Sequence, residues 1–179
     1  MQGDFEAHRK ALANAGADAI EVRTSEELSR VDGLVIPGGE STTMLKLLEV
    51  TGLMEPLRAF GERKPIFGTC AGAILVAKRV SNPVQDALGL VDIDIERNAY
   101  GRQLDSRIVR LTTEIGGEDV EAVFIRAPII RNAGPSAKVI ARYNGDPVLV
   151  EDGRHLVATF HPELSTDNRV HKLFLEKIG

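Results

Sequence analysis

Residues 65–78 constrain this chain more than any other stretch. Pro65-Ile66-Phe67 reads as a short buried strand, and Ala73-Ile74-Leu75-Val76-Ala77-Lys78 reads as the first turns of a helix. Between them lies Gly68-Thr69-Cys70-Ala71-Gly72, which holds the only cysteine. Gly68-x-Cys70-x-Gly72 has the form of a nucleophile elbow, with sulfur in place of oxygen. A nucleophile on a sharp strand-to-helix turn sits in strained backbone, and bulky flanks would clash there. The helix that follows aims its N-terminus at the sulfur and favours thiolate. The N–H of Ala71 is then placed to meet an oxyanion. A free cysteine is also often a small residue filling space. The two glycines at this spacing favour the nucleophile.

An elbow of this kind needs a sheet to stand on, and the first half of the chain supplies the pattern. Asp4 to Ala15 has helical spacing, with Asp4 as a cap and Gly16 as a stop. Ala19-Ile20-Glu21-Val22 is strand-like, and Ser25-Glu26-Glu27-Leu28 reads as a short capped helix. Gly33-Leu34-Val35-Ile36 is a buried strand running into Pro37-Gly38-Gly39-Glu40-Ser41. Ser41 or Thr42 then caps an amphipathic helix closed by Gly52, and another helix covers Met54 to Phe60. This alternation predicts an α/β fold: a doubly wound, mostly parallel sheet with helices on both faces. Such sheets bind ligands beyond the carboxyl ends of their strands, where Pro37-Gly39 and Cys70 both fall.

The second half reads differently. Strands are predicted over 91–95, 107–111, 120–125, 139–143, 148–150 and 155–160, several with polar–apolar alternation. Gly145-Asp146 and Asp152-Gly153 mark hairpin-like turns, so some of these strands are antiparallel. Asn168 to Ile178 closes the chain as a helix.

The bulk numbers remove several functions. A chain of 179 residues suggests one domain, residues 1–179. A net charge of -4 gives no electrostatic case for nucleic acid. No apolar run approaches the ~20 residues of a membrane span. Met1 to Glu6 shows no basic-then-apolar signal. A lone cysteine suits a reducing compartment, so a cytoplasmic location is expected.

A cysteine nucleophile needs a base, and the base an orienter. Of four histidines, His8 and His171 lie on predicted helices and His155 follows a turn, and all three read as surface residues. His161 differs, because it ends the apolar run Val157 to Phe160 in Phe160-His161-Pro162-Glu163. Residues two apart in extended chain share a side, so Glu163 can accept from the imidazole and fix its tautomer. Gly38-Gly39 offers a second oxyanion donor, or is simply a loop. Arg97 and Arg126, the latter ending an apolar strand, are forks for a carboxylate or members of structural salt bridges.

These segments resemble the class I, triad glutamine amidotransferases, and more closely the glutaminase subunits of pyridoxal 5′-phosphate synthase. The matching blocks are residues 34–44, 52–57, 67–72, 96–103, 123–128 and 160–164, in the family's order. Gly-Gly-Glu-Ser-Thr-Thr, Glu-Arg-Asn and Phe-Ile-Arg-Ala-Pro are the specific ones. The resemblance implies hydrolysis of L-glutamine to glutamate and ammonia, with Cys70 attacking the amide, His161 shuttling the proton and Glu163 orienting His161. Gly39 and Ala71 would form the oxyanion hole. Gly39, Glu40, Ser41, Arg97, Ile125 and Arg126 would contact substrate. No cofactor or metal is implied. The ammonia would be channelled to a separate (β/α)-barrel synthase subunit in a large hetero-oligomer, whose docking activates the glutaminase.

Two departures stand out. The family's usual first strand precedes a Leu-Gln-Gly segment, whereas here Met1-Gln2-Gly3 opens the sequence, so a domain lacking that central strand is expected. Ala99-Tyr100 stands where relatives often have Ser-Phe, with no consequence expected for the chemistry. Two other readings keep the scaffold: an amidotransferase serving a different synthase, and a non-catalytic thiol-sensing module.

Overall fold

The computed structural model describes residues 5–99 and 106–179. Elements are numbered in chain order. At its centre are three parallel strands, β1 (Leu34–Ile36), β2 (Ile66–Thr69) and β10 (His155–Ala158). Two antiparallel strands, β9 (Asp146–Asp152) and β8 (Ala137–Tyr143), extend them in the order β1-β2-β10-β9-β8. Every residue of β2 and β10 is buried. Strands covered on both faces read as continuous apolar runs rather than alternating ones, as these do.

Period-two alternation divides the core between the faces. Ile36, Ile66, Val150 and Val157 point to one layer, with Met44 and Leu48 of α3 (Ser41–Val50), Leu57 and Phe60 of α4 (Met54–Gly61), and α5 (Ala71–Val76). Phe67, Leu149, Leu156 and Ala158 point to the other. That second layer holds Val170 and Phe174 of α6 (Arg169–Leu175), with α1 (Phe5–Asn14) beside it. It also holds Leu111, Val120, Ala122 and Phe124 from an antiparallel pair, β5 (Ser106–Leu111) and β6 (Val120–Ile125). A separate three-stranded sheet joins β3 (Ala77–Ser81), β4 (Val91–Glu96) and β7 (Ile129–Ala133).

The expected mixed α/β architecture is present, with three local corrections. The elbow helix ends at Val76, and Ala77-Lys78, read as helical, open β3. Pairing with β4 overrides the helix-compatible composition there. The strand β7 was not foreseen, because Pro128 and Gly134-Pro135 mask its five residues. Ala19–Val22 carries no strand. Among the described residues no strand precedes Leu34, so this segment has no ladder to join and Ile20 is 54% exposed. The open edge of β1 faces a cleft of about 680 Å³ lined by Phe5, Leu12, Val22, Leu34, Val35 and Phe174.

Helix caps set the loops. Thr24 caps α2 (Ser25–Ser29) in a reciprocal box with Glu27. Glu40, rather than Ser41 or Thr42, caps α3, accepting from the backbone N–H groups of Thr42 and Thr43. Asp4, the expected cap of α1, lies outside the described residues, as do residues 100–103 of the 96–103 block.

Phe174 is 2% exposed and its ring centroid lies 5.6 Å from that of Phe67. Phe174→Ala is expected to cost about 3–5 kcal/mol in chemical denaturation. Val50→Ala on α3, at a position 78% exposed, is expected to stay within about 0.5 kcal/mol of wild type.

Candidate active site

The site forms where the parallel strands end. Ala158 pairs with Thr69, and the N–H of Cys70 donates to the carbonyl of Ala158 at 2.9 Å. The next turn from each strand therefore meets the other. Cys70 adopts φ 48° and ψ -106°, a left-handed corner that costs a non-glycine residue of order 1–3 kcal/mol. Both glycines of the elbow are required by space. A Cβ on Gly68 would lie 2.6 Å from the Gly72 carbonyl oxygen, and one on Gly72 would lie 1.9 Å from that of Ile36.

His161 leaves β10 after Phe160, its N–H donating to the Val123 carbonyl at 2.8 Å. Its Nδ1 lies 2.7 Å from Glu163 Oε1, and Cys70 is close enough to the ring to influence its charge. Pro162–Leu164 form a single 3-10 turn, which swings Glu163 under the ring with its side chain fully buried. Cys70, His161 and Glu163, the candidate nucleophile, base and orienter, thus lie together at the ends of the parallel strands.

The electrostatics follow from burial and pairing. Burial works against a charged imidazole, yet Cys70 and Glu163 outweigh it and raise the His161 pKa to about 10. The imidazole therefore holds its proton at neutral pH, and the sulfur faces a cation. Burial also pushes Glu163 up, but the hydrogen bond with His161 holds it below the ordinary carboxylate value.

The remaining candidates surround this centre. Gly38 packs against it so closely that a Cβ would lie 2.6 Å from His161 Cε1 and 3.4 Å from the Cys70 Cβ. Gly39 follows with φ 152°. Burial raises Glu40, but the Thr43 and Thr42 donors overcome this and bring its pKa to about 2. Arg97 Nη2 donates to Thr42 Oγ1 at 2.7 Å and lies 3.4 Å from Glu40 Oε1, so Arg97 joins the loop after β1. Its Nε is buried without a partner among the described residues. Ser41 Oγ donates to Gln85 Oε1 at 3.1 Å. On the opposite wall, the Ile125 carbonyl lies 3.9 Å from Cys70 Sγ. Arg126 follows, exposed and at φ 45°. Ala71 opens α5 immediately beside the sulfur.

Three histidines read as surface residues are buried instead: His8, His155 and His171 are 3%, 8% and 0% exposed. His155 Nδ1 accepts from the Ile66 N–H at 3.2 Å. His8 sits between Glu163 and His171, 3.3 Å from Glu163 Oε2 and 3.1 Å from His171 Nε2. Helical periodicity carries the signal that was missed. His8 falls three before Ala11 and four before Leu12, and His171 three before Phe174, positions that face the core. Gln85 had no sequence signal.

Comparison with known proteins fits this geometry. The profile of the SNO glutamine amidotransferase family matches residues 1–179. A curated relative from Solibacter usitatus (strain Ellin6076), named pyridoxal 5′-phosphate synthase subunit PdxT, is 56% identical over 184 residues, covering 99% of this chain and 96% of the relative. A protein of the same name from Koribacter versatilis (strain Ellin345) is 53% identical, covering 99% and 92%. A crystal structure described as a glutamine amidotransferase superposes with a TM-score of 0.92 at 44% identity, covering 99% of this chain and 95% of that one.

Two outcomes follow from the site's geometry. Gly72→Ala forces a methyl into the Ile36 carbonyl, so it is expected to lower both thermal stability and Cys70 alkylation by iodoacetamide. Burial depresses the His171 pKa to about 4 from an ordinary 6.5. The unfolded chain takes up this proton as pH falls through 6.5, while the native state resists until about 4. Native stability therefore drops across that window, by on the order of 3 kcal/mol from this group. His171→Leu is expected to flatten the same limb of a melting-temperature profile.

Proposed function

This chain belongs to the SNO glutamine amidotransferase family, and from that premise we propose that it is the glutaminase subunit of a pyridoxal 5′-phosphate synthase. The observation that carries the reading is Cys70 on its positive-φ corner, beside an imidazole that a fully buried carboxylate holds from behind. That arrangement suits acyl transfer from a small amide and needs no metal.

In this reading the Cys70 sulfur attacks the side-chain carbonyl carbon of L-glutamine. The carbonyl π electrons move to oxygen, and the N–H groups of Gly39 and Ala71 receive the oxyanion. As the tetrahedral adduct collapses, the C–N bond breaks and the His161 imidazolium gives its proton to the departing nitrogen, releasing ammonia. A glutamyl thioester remains on Cys70. Water attacks it with neutral His161 accepting the proton, glutamate leaves, and the thiolate–imidazolium pair is restored. Glu163 keeps Nδ1 protonated throughout, so that Nε2 serves the sulfur and the leaving group.

The wall residues divide the amino-acid end of the substrate by charge. The Glu40 carboxylate suits its ammonium, while Arg97 and Arg126 suit its carboxylate. Gly39, Ser41 and the Ile125 backbone complete the pocket. The partner in this proposal is a (β/α)-barrel synthase subunit, joined in a hetero-oligomer and receiving the ammonia before it meets bulk water.

The experiment is glutamate and ammonia release from L-glutamine by this chain mixed with such a synthase subunit. Release is expected to rise on adding the synthase, and Cys70→Ala to fall by at least about 10³-fold. Full turnover by Cys70→Ala, or no release in the assembled complex, overturns the reading. Glu163→Gln is expected to lower kcat by about 10²–10⁴-fold with little change in KM.

A further inference from the structure

Behind the triad lies a second row of buried polar side chains. His8 reaches in from α1, Thr69 from the end of β2 and His171 from α6, each no more than 3% exposed. His8 Nε2 stands 3.1 Å from Thr69 Oγ1 and 3.3 Å from Glu163 Oε2. His8 Nδ1 stands 3.1 Å from His171 Nε2. Around them the layer is apolar and aromatic. Phe67 lies edge-on to both imidazoles, at 6.4 Å from His8 and 5.8 Å from His171 between ring centroids.

Glu163 has two oxygens and only one is used by His161. Oε1 takes the imidazole at 2.7 Å, while Oε2 is buried with no well-aligned donor among the described residues and has His8 as its near neighbour. A carboxylate held by one oxygen can rotate about its terminal torsion, a broad two-fold well. Rotation carries Oε1 away from His161 Nδ1. A donor on the second oxygen removes that freedom.

The proton count fixes the direction of the row. His171 Nδ1 is buried and has no partner among the described residues. If it carried hydrogen, an N–H would be orphaned in an apolar layer, which costs more than a bare ring nitrogen there. The proton of a neutral His171 therefore belongs on Nε2, where it donates to His8 Nδ1. Neutral His8 then carries its own proton on Nε2, which is hydrogen-bonded to Thr69 Oγ1 at 3.1 Å and has Glu163 Oε2 3.3 Å away as its next neighbour.

We propose that His8 is a positioning residue of the glutaminase: it holds the second oxygen of Glu163, with His171 setting its tautomer, and so keeps the first oxygen on His161. The inference rests on the glutaminase reading above. It does not make His8 a catalytic residue, since in this proposal His8 acts through Glu163.

Steady-state glutaminase kinetics in the assembled complex test it with His8→Leu, His8→Gln and His8→Asn. Gln places a donor near the position of Nε2, whereas Asn mimics Nδ1 and cannot reach Glu163. Leu and Asn are expected to lower kcat about 10- to 100-fold with KM nearly unchanged, and Gln to restore most of the loss. In a Glu163→Gln background, His8→Leu is expected to add less than about two-fold, because its route of action is already cut. An unchanged kcat in His8→Leu, equal losses in Gln and Asn, or the same factor lost in both backgrounds overturns the proposal. Should His8→Leu fail to fold, the Gln–Asn contrast decides alone. The His161 Nδ1 proton resonance in the free subunit provides a readout without turnover, expected in wild type and His8→Gln and broadened away in His8→Asn. Absent ammonia release by the wild-type complex overturns the glutaminase reading alone, and this resonance then decides the role of His8, an unaltered signal in His8→Asn counting against it.

Discussion

The register between β2 and β10, with Phe67 against Leu156 and Thr69 against Ala158, fixes where the reacting groups can be. Parallel neighbours end at the same edge of a sheet. The residues just past those ends then face each other regardless of how far apart they lie in the chain. Cys70 gains a sharp corner because Gly68 and Gly72 let the helix fold back on β1 and β2. His161 gains its height because Phe160 stays buried one residue earlier. A slip of one residue in this pairing would turn Phe67 and Leu156 to the opposite layer, so core packing and site assembly are set by the same alignment.

The three parallel strands were legible as apolar runs, and the elbow as a glycine–cysteine–glycine spacing. The pair His161–Glu163 was legible as alternation at the end of such a run. These signals are local, and the physics behind them is local too: a corner needs small residues, and an extended chain puts i and i+2 on one side. What was not legible depends on neighbours. Ala77–Ser81 becomes a strand only because β4 lies beside it, and Ala19–Val22 fails to become one for want of a ladder. The short β7 hides between two prolines. His8 and His171 run against residue type, since histidine on a helix is more often wet; their phase relative to Ala11 and Phe174 points inward.

The candidate pocket shows the same division. Glu40 was picked out for substrate, yet it also caps α3 and meets Arg97. Its carboxylate sits at the positive end of a helix, where a negative charge is stabilised. One side chain thus serves as a structural cap and as a wall of the pocket. The arginine beside it reads equally as a salt bridge or a carboxylate fork, and the geometry gives it both the ion pair and a buried Nε with no partner among the described residues.

The two halves of the site are not equally braced. Cys70 and His161 descend from strands with ladders on both sides, β2 and β10. The Pro37–Glu40 loop descends from β1, three residues long and, among the described residues, bonded along one side only, with a cleft on the other. Local opening is easiest where the fewest backbone bonds must break. The candidate site is therefore braced unequally, more firmly beneath Cys70 and His161 than beneath Gly38 and Gly39, so any change in support along the outer edge of β1 falls first on the glycine side.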